Sequence, residues 1–278
     1  MAQPTVGILH PGSMGAAVAA CAATNGGSVL WCEAGRGPAT VARAERFGLT
    51  GVATLRELLD RSDVVISLCP PAAAEDLALE VAEHGFAGVY LEANAISPEK
   101  AFRTAGLFGP ATTVVDGAVI GSPPVRGKTP TLYLSGPAAA TAELEQLFAG
   151  TAVRTKALGD EVGQASALKL AYTAYQKASR VLVALATGLA REHGVDEELL
   201  DVASRRASSY LAEPEYIAKT AARAWRWGPE LEEAADTLAA AGLPAEMLHA
   251  AATTLARWNE AKDSELTVAD ALDQLAQP

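Results

Sequence analysis

Val6-Gly7-Ile8-Leu9-His10-Pro11-Gly12-Ser13-Met14-Gly15 opens the chain, and the Ala-rich run Ala16 to Thr24 and the apolar run Ser28 to Cys32 follow it directly. A β-rich run, a glycine turn, a helical window and a second β-rich run spell a βαβ unit. In a dinucleotide-binding unit of this kind, one glycine lets backbone amides approach a pyrophosphate and a later one permits close helix–strand packing. The helix N-terminus adds unpaired N–H groups and a positive dipole. Gly12 and Gly15 can fill the two glycine roles, but His10 stands where Gly-x-Gly-x-x-Gly has its first glycine, so the fingerprint is incomplete. A tight turn with no ligand would leave the same letters.

The surroundings favour a ligand. Glu33 lies 18 positions past Gly15, close to the ~20-residue offset of a carboxylate that bonds a ribose 2′-hydroxyl. Arg36, three residues on, argues the other way, because an arginine there neutralises a 2′-phosphate; a solvated loop charge is the plain alternative for both. His10, Pro11, Gly12, Ser13, Met14, Gly15, Glu33 and Arg36 are therefore cofactor-binding candidates, with the choice between NAD(H) and NADP(H) open.

Outward from the turn, the alternation continues to about residue 150. Strands are expected at Val6 to Leu9, Ser28 to Cys32, Val64 to Leu68, Val89 to Leu91, Thr113 to Val115 and Leu132 to Leu134. Helices are expected at Ala16 to Thr24, Ala39 to Phe47, Ala72 to Glu83, Pro98 to Arg103 and Ala138 to Leu147. Such alternation builds a parallel sheet. After Val153 no convincing strand follows, and helices are expected over 161–193, 196–210, 214–224, 229–241 and 244–260. The expected organisation is an α/β Rossmann-type domain over residues 1–158 and an all-α domain over 159–278.

Composition narrows the function. Half of the 278 residues are hydrophobic, enough for a sizeable core. With 22 Lys and Arg against 33 Asp and Glu, the net charge is −11 and no basic run stands out, so no nucleic-acid or anionic-membrane footprint is visible. The expected partner is a small molecule. Cys21, Cys32 and Cys69 are an odd set without Cys-x-x-Cys spacing and read as small buried hydrophobes in a reducing compartment. No signal peptide is evident at the N-terminus, and Lys169, Lys177 and Arg180 interrupt the longest apolar stretch, so a cytoplasmic protein without a membrane span is expected. His84, His193 and the other histidines lack metal-ligand spacing, and no metal is expected.

Six blocks, in order, carry a resemblance: the turn Gly7 to Gly15; Ser67-Leu68-Cys69-Pro70-Pro71; Glu92-Ala93-Asn94-Ala95-Ile96-Ser97-Pro98; Asp116-Gly117-Ala118-Val119-Ile120-Gly121; Thr131 to Gly136; and Gly163-Gln164-Ala165-Ser166-Ala167-Leu168-Lys169. With them the chain resembles the β-hydroxyacid dehydrogenase and 6-phosphogluconate dehydrogenase superfamily, which also holds 3-hydroxyisobutyrate dehydrogenases and imine reductases. The resemblance implies a Rossmann-type first domain, a helical second domain that forms a homodimer, and an active site in the cleft between them. It further implies that Cys69 and Pro70 line the cofactor, that Asn94 sits near the nicotinamide ribose, that Gly121 and Ser122 border the substrate, and that Lys169 is the catalytic lysine. Trp225-Arg226-Trp227 and Gly242-Leu243-Pro244 look like a less studied subgroup with a distinct helical domain. Several positions depart from the usual pattern: Ile120 replaces a common serine, Tyr172 and Thr173 fill positions often held by an asparagine pair or His-Asn, and Gln176 takes the place of a glutamate acid, which disfavours sugar-phosphate decarboxylation.

Read without the resemblance, the long helix places Lys169, Tyr172, Thr173, Gln176, Lys177 and Arg180 within one arc, while Ala, Leu and Val fill the rest. A solvated face with snorkelling lysines is the bland reading. Lodged between Leu168 and Leu170, Lys169 is expected to be partly desolvated, which lowers a lysine pKa towards the range of an acid–base catalyst. Tyr172 could hydrogen-bond the same substrate oxygen or fill the core; Thr173 and Gln176 are substrate-side candidates. Lys177 and Arg180 could hold a substrate anion or pair with carboxylates, and His249 reads more simply as a structural histidine. Trp225, Arg226, Trp227 and Tyr216 read as core or interface, and residues 122–128 as an exposed loop whose Arg126 or Lys128 could meet an acidic substrate.

The expected activity is therefore an NAD(P)-dependent oxidoreduction of a small hydroxy or carbonyl compound, with Lys169 as general acid/base. Imine reduction is the alternative within enzymes, although imine-reducing relatives commonly replace that lysine. A non-catalytic NAD(P)-binding sensor or scaffold is the alternative outside them.

Overall fold

A computed structural model describes residues 3–25, 27–192, 194–205, 213–240 and 244–277, which fall into two compact units, Met1–Lys169 and Leu170–Pro278.

The first unit is built on eight strands: β1 (Val6–Ile8), β2 (Val29–Cys32), β3 (Thr50–Val52), β4 (Val64–Ser67), β5 (Gly88–Glu92), β6 (Thr112–Ile120), β7 (Thr131–Ser135) and β8 (Arg154–Gly159). They form one sheet in the order β3-β2-β1-β4-β5-β6-β7-β8. The first six run parallel, β7 runs antiparallel to β6, and β8 returns parallel to β7. The order 3-2-1-4-5-6 is that of a doubly wound dinucleotide-binding sheet, whose strand order reverses between β1 and β4; ligands of such sheets bind beyond the carboxyl ends of the strands at that reversal.

Helices α1 (Ser13–Ala22), α2 (Pro38–Arg46), α3 (Leu55–Asp60), α4 (Ala74–Glu83), α5 (Pro98–Gly106) and α6 (Ala138–Phe148) complete the crossovers. Both sheet faces are covered, which is why the central strands are apolar throughout rather than alternating. Val64 and Ile66 of β4 join a core with Val6, Ile8 and Leu144 on one face, and Val65 joins Leu30, Tyr90 and Leu58 on the other.

The second unit is helical. Helix α7 (Gln164–Glu192) begins in the first unit and runs into the second, followed by α8 (Asp196–Ser204), α9 (Tyr216–Ala221), α10 (Ala224–Ala240), α11 (Glu246–Ala256) and α12 (Val268–Ala276). Their core packs around the fully buried Trp258, whose Nε1 donates to Ala271 O at 2.8 Å. Thr267 and Asp270 close a capping box at the start of α12, satisfying two backbone N–H groups at once.

The α/β first part and helical second part expected from the sequence are both present. Three expectations need correction. A strand does follow Val153, since β7 supplies a hydrogen-bonded partner for the polar run of β8. Helix α10 begins at Ala224 rather than at Pro229, which the helix accommodates in its interior. Helix α12 and the short pair β3 and α3 were not anticipated. His193, Gly242, Leu243 and the 206–210 end of the expected 196–210 helix lie outside the described residues.

Candidate active site

The glycine turn joins β1 to α1 at the point where the strand order reverses. Gly12 N donates to His10 O at 2.8 Å and Ala16 N to Gly12 O at 2.9 Å, so the turn tightens straight into the first helical hydrogen bond. Gly15 is required by packing: a Cβ there would collide with His10 O and would stand 3.5 Å from Leu68 O at the end of β4. Gly12 is the N-cap and no side chain caps the helix, so the first N–H groups of α1 are left for an anion.

Two arginines close on this turn. Arg36 donates through Nη2 to Leu9 O at 2.9 Å and lies with Nη1 3.1 Å from His10 Nδ1, while its buried Nε has no hydrogen-bond partner. From α2, Arg43 Nη1 reaches Pro11 O at 3.1 Å. Burial, then the charges of Arg36 and Arg43, hold His10 below the ordinary imidazole pKa. The Glu33 carboxylate leans over Gly51 on edge strand β3, where any Cβ would strike it.

At the next strand ends, Asn94 ties two loops together. Its Oδ1 accepts from Cys69 N at 2.6 Å and its Nδ2 donates to Ser67 Oγ at 2.9 Å and to Glu92 Oε1. Glu92, fully buried at the end of β5, also accepts from Asn94 N at 3.0 Å, and its Oε2 has no partner. Burial pushes its carboxyl up to about 8, with the Asp116 carboxylate adding to the effect. Burial and Glu92 together push the Cys69 thiol up to about 11, which keeps it protonated rather than a thiolate nucleophile. Cys32 is buried as expected, whereas Cys21 and Cys69 are half-buried; all three are free thiols.

Asp116, buried on β6, sets where α7 begins. Its Oδ2 accepts from Gly163 N and Ser166 N, each at 2.9 Å, and from Ser135 Oγ at 3.2 Å; its Oδ1 accepts from Ser166 Oγ at 2.6 Å. A strand carboxylate thus caps the helix from a distance, with its charge at the positive end of the dipole. One turn further, Lys169 Nζ donates to Val119 O at 2.8 Å. Strand β6 runs four residues past Asp116, the register partner of Glu92, so Lys169 is held beyond the carboxyl edge of the parallel sheet. Gly121 and Ser122 follow this extension and are exposed; Gly121 has φ +129°, and a Cβ there would stand 2.9 Å from Pro130 Cα.

Within the first unit the structure joins His10 to Arg36 and Cys69 to Asn94, seats Lys169 on Val119 and lays the Glu33 carboxylate beside Gly51 of β3. Tyr172, Thr173 and Gln176 fall in the second unit, where Tyr172 is 43% exposed and Thr173 1%. The stripe continuing along α7 is not a solvated face. Lys177 and Arg180 are buried: Lys177 pairs with Glu230 and lies 5.6 Å from the Trp227 ring, and Arg180 pairs with Glu213 at 3.1 Å and stacks 3.9 Å from the Tyr216 ring. Both cations thus take the carboxylate-pairing alternative. His249 pairs with Glu232 at 2.7 Å on the surface, and residues 126–129 are exposed. Among the described residues, no group of three or more His, Cys, Asp or Glu is placed to hold a metal, and no helix is long and apolar enough to cross a membrane.

The roles of Asp116, Glu92 and Arg43 were not read from the sequence. A lone acid inside the apolar strand Thr112–Ile120 was the available signal for Asp116, since a buried carboxylate must find donors.

These features define a class: a doubly wound sheet of strand order 3-2-1-4-5-6 followed by a helical unit, with a lysine seated at the sheet's carboxyl edge. Residues 190–258 match the model of DUF1932, a domain of unknown function. The "uncharacterized 28.5 kDa protein in 7S RNA 5′ region" of Methanothermus fervidus is 27% identical over 174 residues, covering 63% of this chain and 66% of that protein, slightly under two thirds of its length. Among solved structures, the 3-hydroxyisobutyrate dehydrogenase of Mycobacterium tuberculosis, studied with L-serine, superposes with a TM-score of 0.78 at 20% identity over 99% of this chain and 100% of that one. A reductive aminase from Aspergillus terreus, in complex with NADPH and ethyl levulinate, gives 0.63 at 21% over 98% and 99%. The resemblance drawn from the six sequence blocks therefore holds at the level of the fold: the chain has the architecture of the hydroxyacid dehydrogenases and their reductase relatives.

Proposed function

We propose that the protein is an NAD(P)(H)-dependent oxidoreductase that interconverts a small hydroxy compound and its carbonyl, with Lys169 carrying the proton. The observation that carries the reading is the seating of Lys169 Nζ on Val119 O at the sheet edge that also bears the glycine turn. A nicotinamide dinucleotide fits the residues present: the uncapped start of α1 offers N–H groups to a pyrophosphate, and the orphaned Arg36 Nε marks an unfilled polar position beside it. His10 to Gly15 and Arg36 would hold its adenosine and phosphates, and Cys69, Pro70 and Asn94 would flank its nicotinamide end. When bound, it supplies the hydride donor or acceptor.

Lys169 does the protein's share of the chemistry. In reduction its ammonium gives a proton to the carbonyl oxygen as the carbon gains hydride; in oxidation the neutral amine takes the hydroxyl proton. A positioned acid–base group of this kind contributes roughly 10²- to 10⁴-fold in rate. The Val119 carbonyl fixes the amine, and Gly121 and Ser122 would border the substrate. Tyr172 would bond the same oxygen, with Gln176 on the substrate side, while the buried Thr173 has no surface to offer it. In this reading residues 1–158 bind the cofactor, residues 159–278 contribute substrate contacts and a homodimer interface, and the protein works in the cytoplasm without nucleic-acid partners.

Likeness to a reductive aminase supports imine reduction as a second reading; retention of Lys169 favours alcohol and carbonyl chemistry. Titration of NADH and NADPH followed by nicotinamide fluorescence, then a panel of hydroxy acids, aldehydes and cyclic imines, tests both. Turnover of hydroxy acids or aldehydes is the expected result, and turnover confined to imines selects the second reading. Cofactor binding without any turnover makes the protein a sensor or scaffold.

A further inference from the structure

We infer that Asp116, Ser135 and Ser166 are positioning residues for the reaction: together they fix how far helix α7 advances along β6, and so place the Lys169 amine. The inference rests on the reading above that Lys169 carries the proton.

Helix α7 brings no cap of its own. Its first residue, Gln164, follows Gly163, which has no side chain and takes φ +104°. A helix start leaves four backbone N–H groups without helical partners, and here side chains of the sheet take three of them. Gly163 N and Ser166 N donate to Asp116 Oδ2 at 2.9 Å each, and Ala165 N donates to Ser135 Oγ at 3.0 Å. Ser135 Oγ in turn donates to Asp116 Oδ2 at 3.2 Å, and Ser166 Oγ to Asp116 Oδ1 at 2.6 Å, so β6, β7 and α7 share one hub. All three residues are fully buried. Regular helical bonding begins at once, with Ala167 N on Gly163 O at 2.8 Å.

The start of α7 thus differs from that of α1. A built-in carboxylate occupies the positive end of its dipole, so a substrate anion finds that end of the helix taken. What the hub fixes is register. From Asp116 to Val119 the strand advances about 10 Å, and from Ser166 to Lys169 the helix advances about 4.5 Å. The lysine side chain covers the difference and reaches Val119 O at 2.8 Å. A slip of one residue in α7 would swing Lys169 by about 100° around the helix and off that carbonyl.

The test separates anchoring from mere stability. Asp116→Asn, Ser166→Ala and Ser135→Ala are each made with and without Lys169→Ala; should Asp116→Asn fail to fold, the two serine variants carry the test. Amide hydrogen exchange over residues 164–170 reads the anchor without turnover, and is expected to quicken at least about tenfold in Asp116→Asn and severalfold in the serine variants. Steady-state kinetics on hydroxy acids and aldehydes read its effect on the reaction. Ser166→Ala is expected to lower kcat roughly 10- to 100-fold, the scale set by misplacing a reacting group by an ångström. KM and the cofactor dissociation constant are expected to stay within about threefold, since ground-state binding is untouched. In the Lys169→Ala background the same substitution is expected to lower kcat by less than about twofold more, because residues that act through one group are not additive. A full further loss in that background overturns the inference, as does unchanged kcat or unchanged exchange in all three single variants; each of these leaves the oxidoreductase reading intact. Wild-type turnover by Lys169→Ala, or no turnover by the wild type, removes the reading and the inference with it.

Discussion

Lys169 Nζ donates to Val119 O at 2.8 Å, and three residues earlier on the same helix Ser166 Oγ donates to Asp116, three residues earlier on the same strand, at 2.6 Å. Helix α7 is therefore clamped to β6 at two points one helical turn apart, and the amine's position is set by the strand. Such anchoring limits the orientations an acid–base group must search before reaction.

Lys169→Ala is expected to lower kcat by about 10²- to 10⁴-fold while the dissociation constant of the cofactor changes less than about threefold, because the lysine acts on the substrate proton and not on the pyrophosphate. Steady-state kinetics and fluorescence titration on the same preparation check this. Unchanged turnover removes Lys169 from the chemistry.

Glu92 makes stability depend on pH. Its carboxyl, raised from the ordinary carboxylate range to about 8 by burial, binds a proton in the folded state that the unfolded chain has already released between about pH 4.5 and 8. Bound protons are then more numerous in the folded state, so unfolding free energy falls as pH rises through that window, by at most a few kcal/mol. Glu92→Gln keeps an acceptor for Asn94 and is expected to flatten the profile. Urea denaturation from pH 5 to 8.5 on both proteins measures it; parallel profiles refute the assignment.

Lys177→Met is expected to destabilise the protein by up to about 3–5 kcal/mol, since among the described residues it leaves the buried Glu230 carboxylate with only Arg226, 3.7 Å away. The double variant Lys177→Met/Glu230→Leu is expected to recover most of the loss. If Lys177→Met instead left stability unchanged and raised KM for an acidic substrate, the lysine would be an anion anchor rather than half of a structural pair.

Gly15→Ala drives a methyl group into the His10 carbonyl, backbone that cannot move without opening the turn. The expected result is loss of dinucleotide binding of at least tenfold with a lowered melting temperature, read by titration and calorimetry; full affinity would show that the turn is not the cradle.

Much of this was legible in the letters. The turn could be read because strand, glycines, helix and second strand are contiguous, and the carboxyl ends of β4, β5 and β6 carry recognisable blocks. What stayed hidden was non-local. Asp116 finds its cap donors about fifty residues downstream, and nothing in the Thr112–Ile120 strand names Ser166. Arg36 and Glu33 stand three apart, and only the fold turns one onto the glycine turn and the other onto β3. Strand β8 was missed because Arg154, Lys156 and their neighbours show no apolar alternation; its pairing with β7 makes it a strand. Pro229 misdirected the start of α10, and the Thr267–Asp270 box, a readable signal, announces α12.

That polar outermost strand has a consequence for how copies of the molecule meet. A bare sheet margin is a template on which further chains can stack by backbone pairing. Arg154 and Lys156 stand on this one, and the Glu145 carboxylate accepts from Ala157 N at 3.3 Å, so a side chain already occupies a backbone donor that strand addition along this side would need.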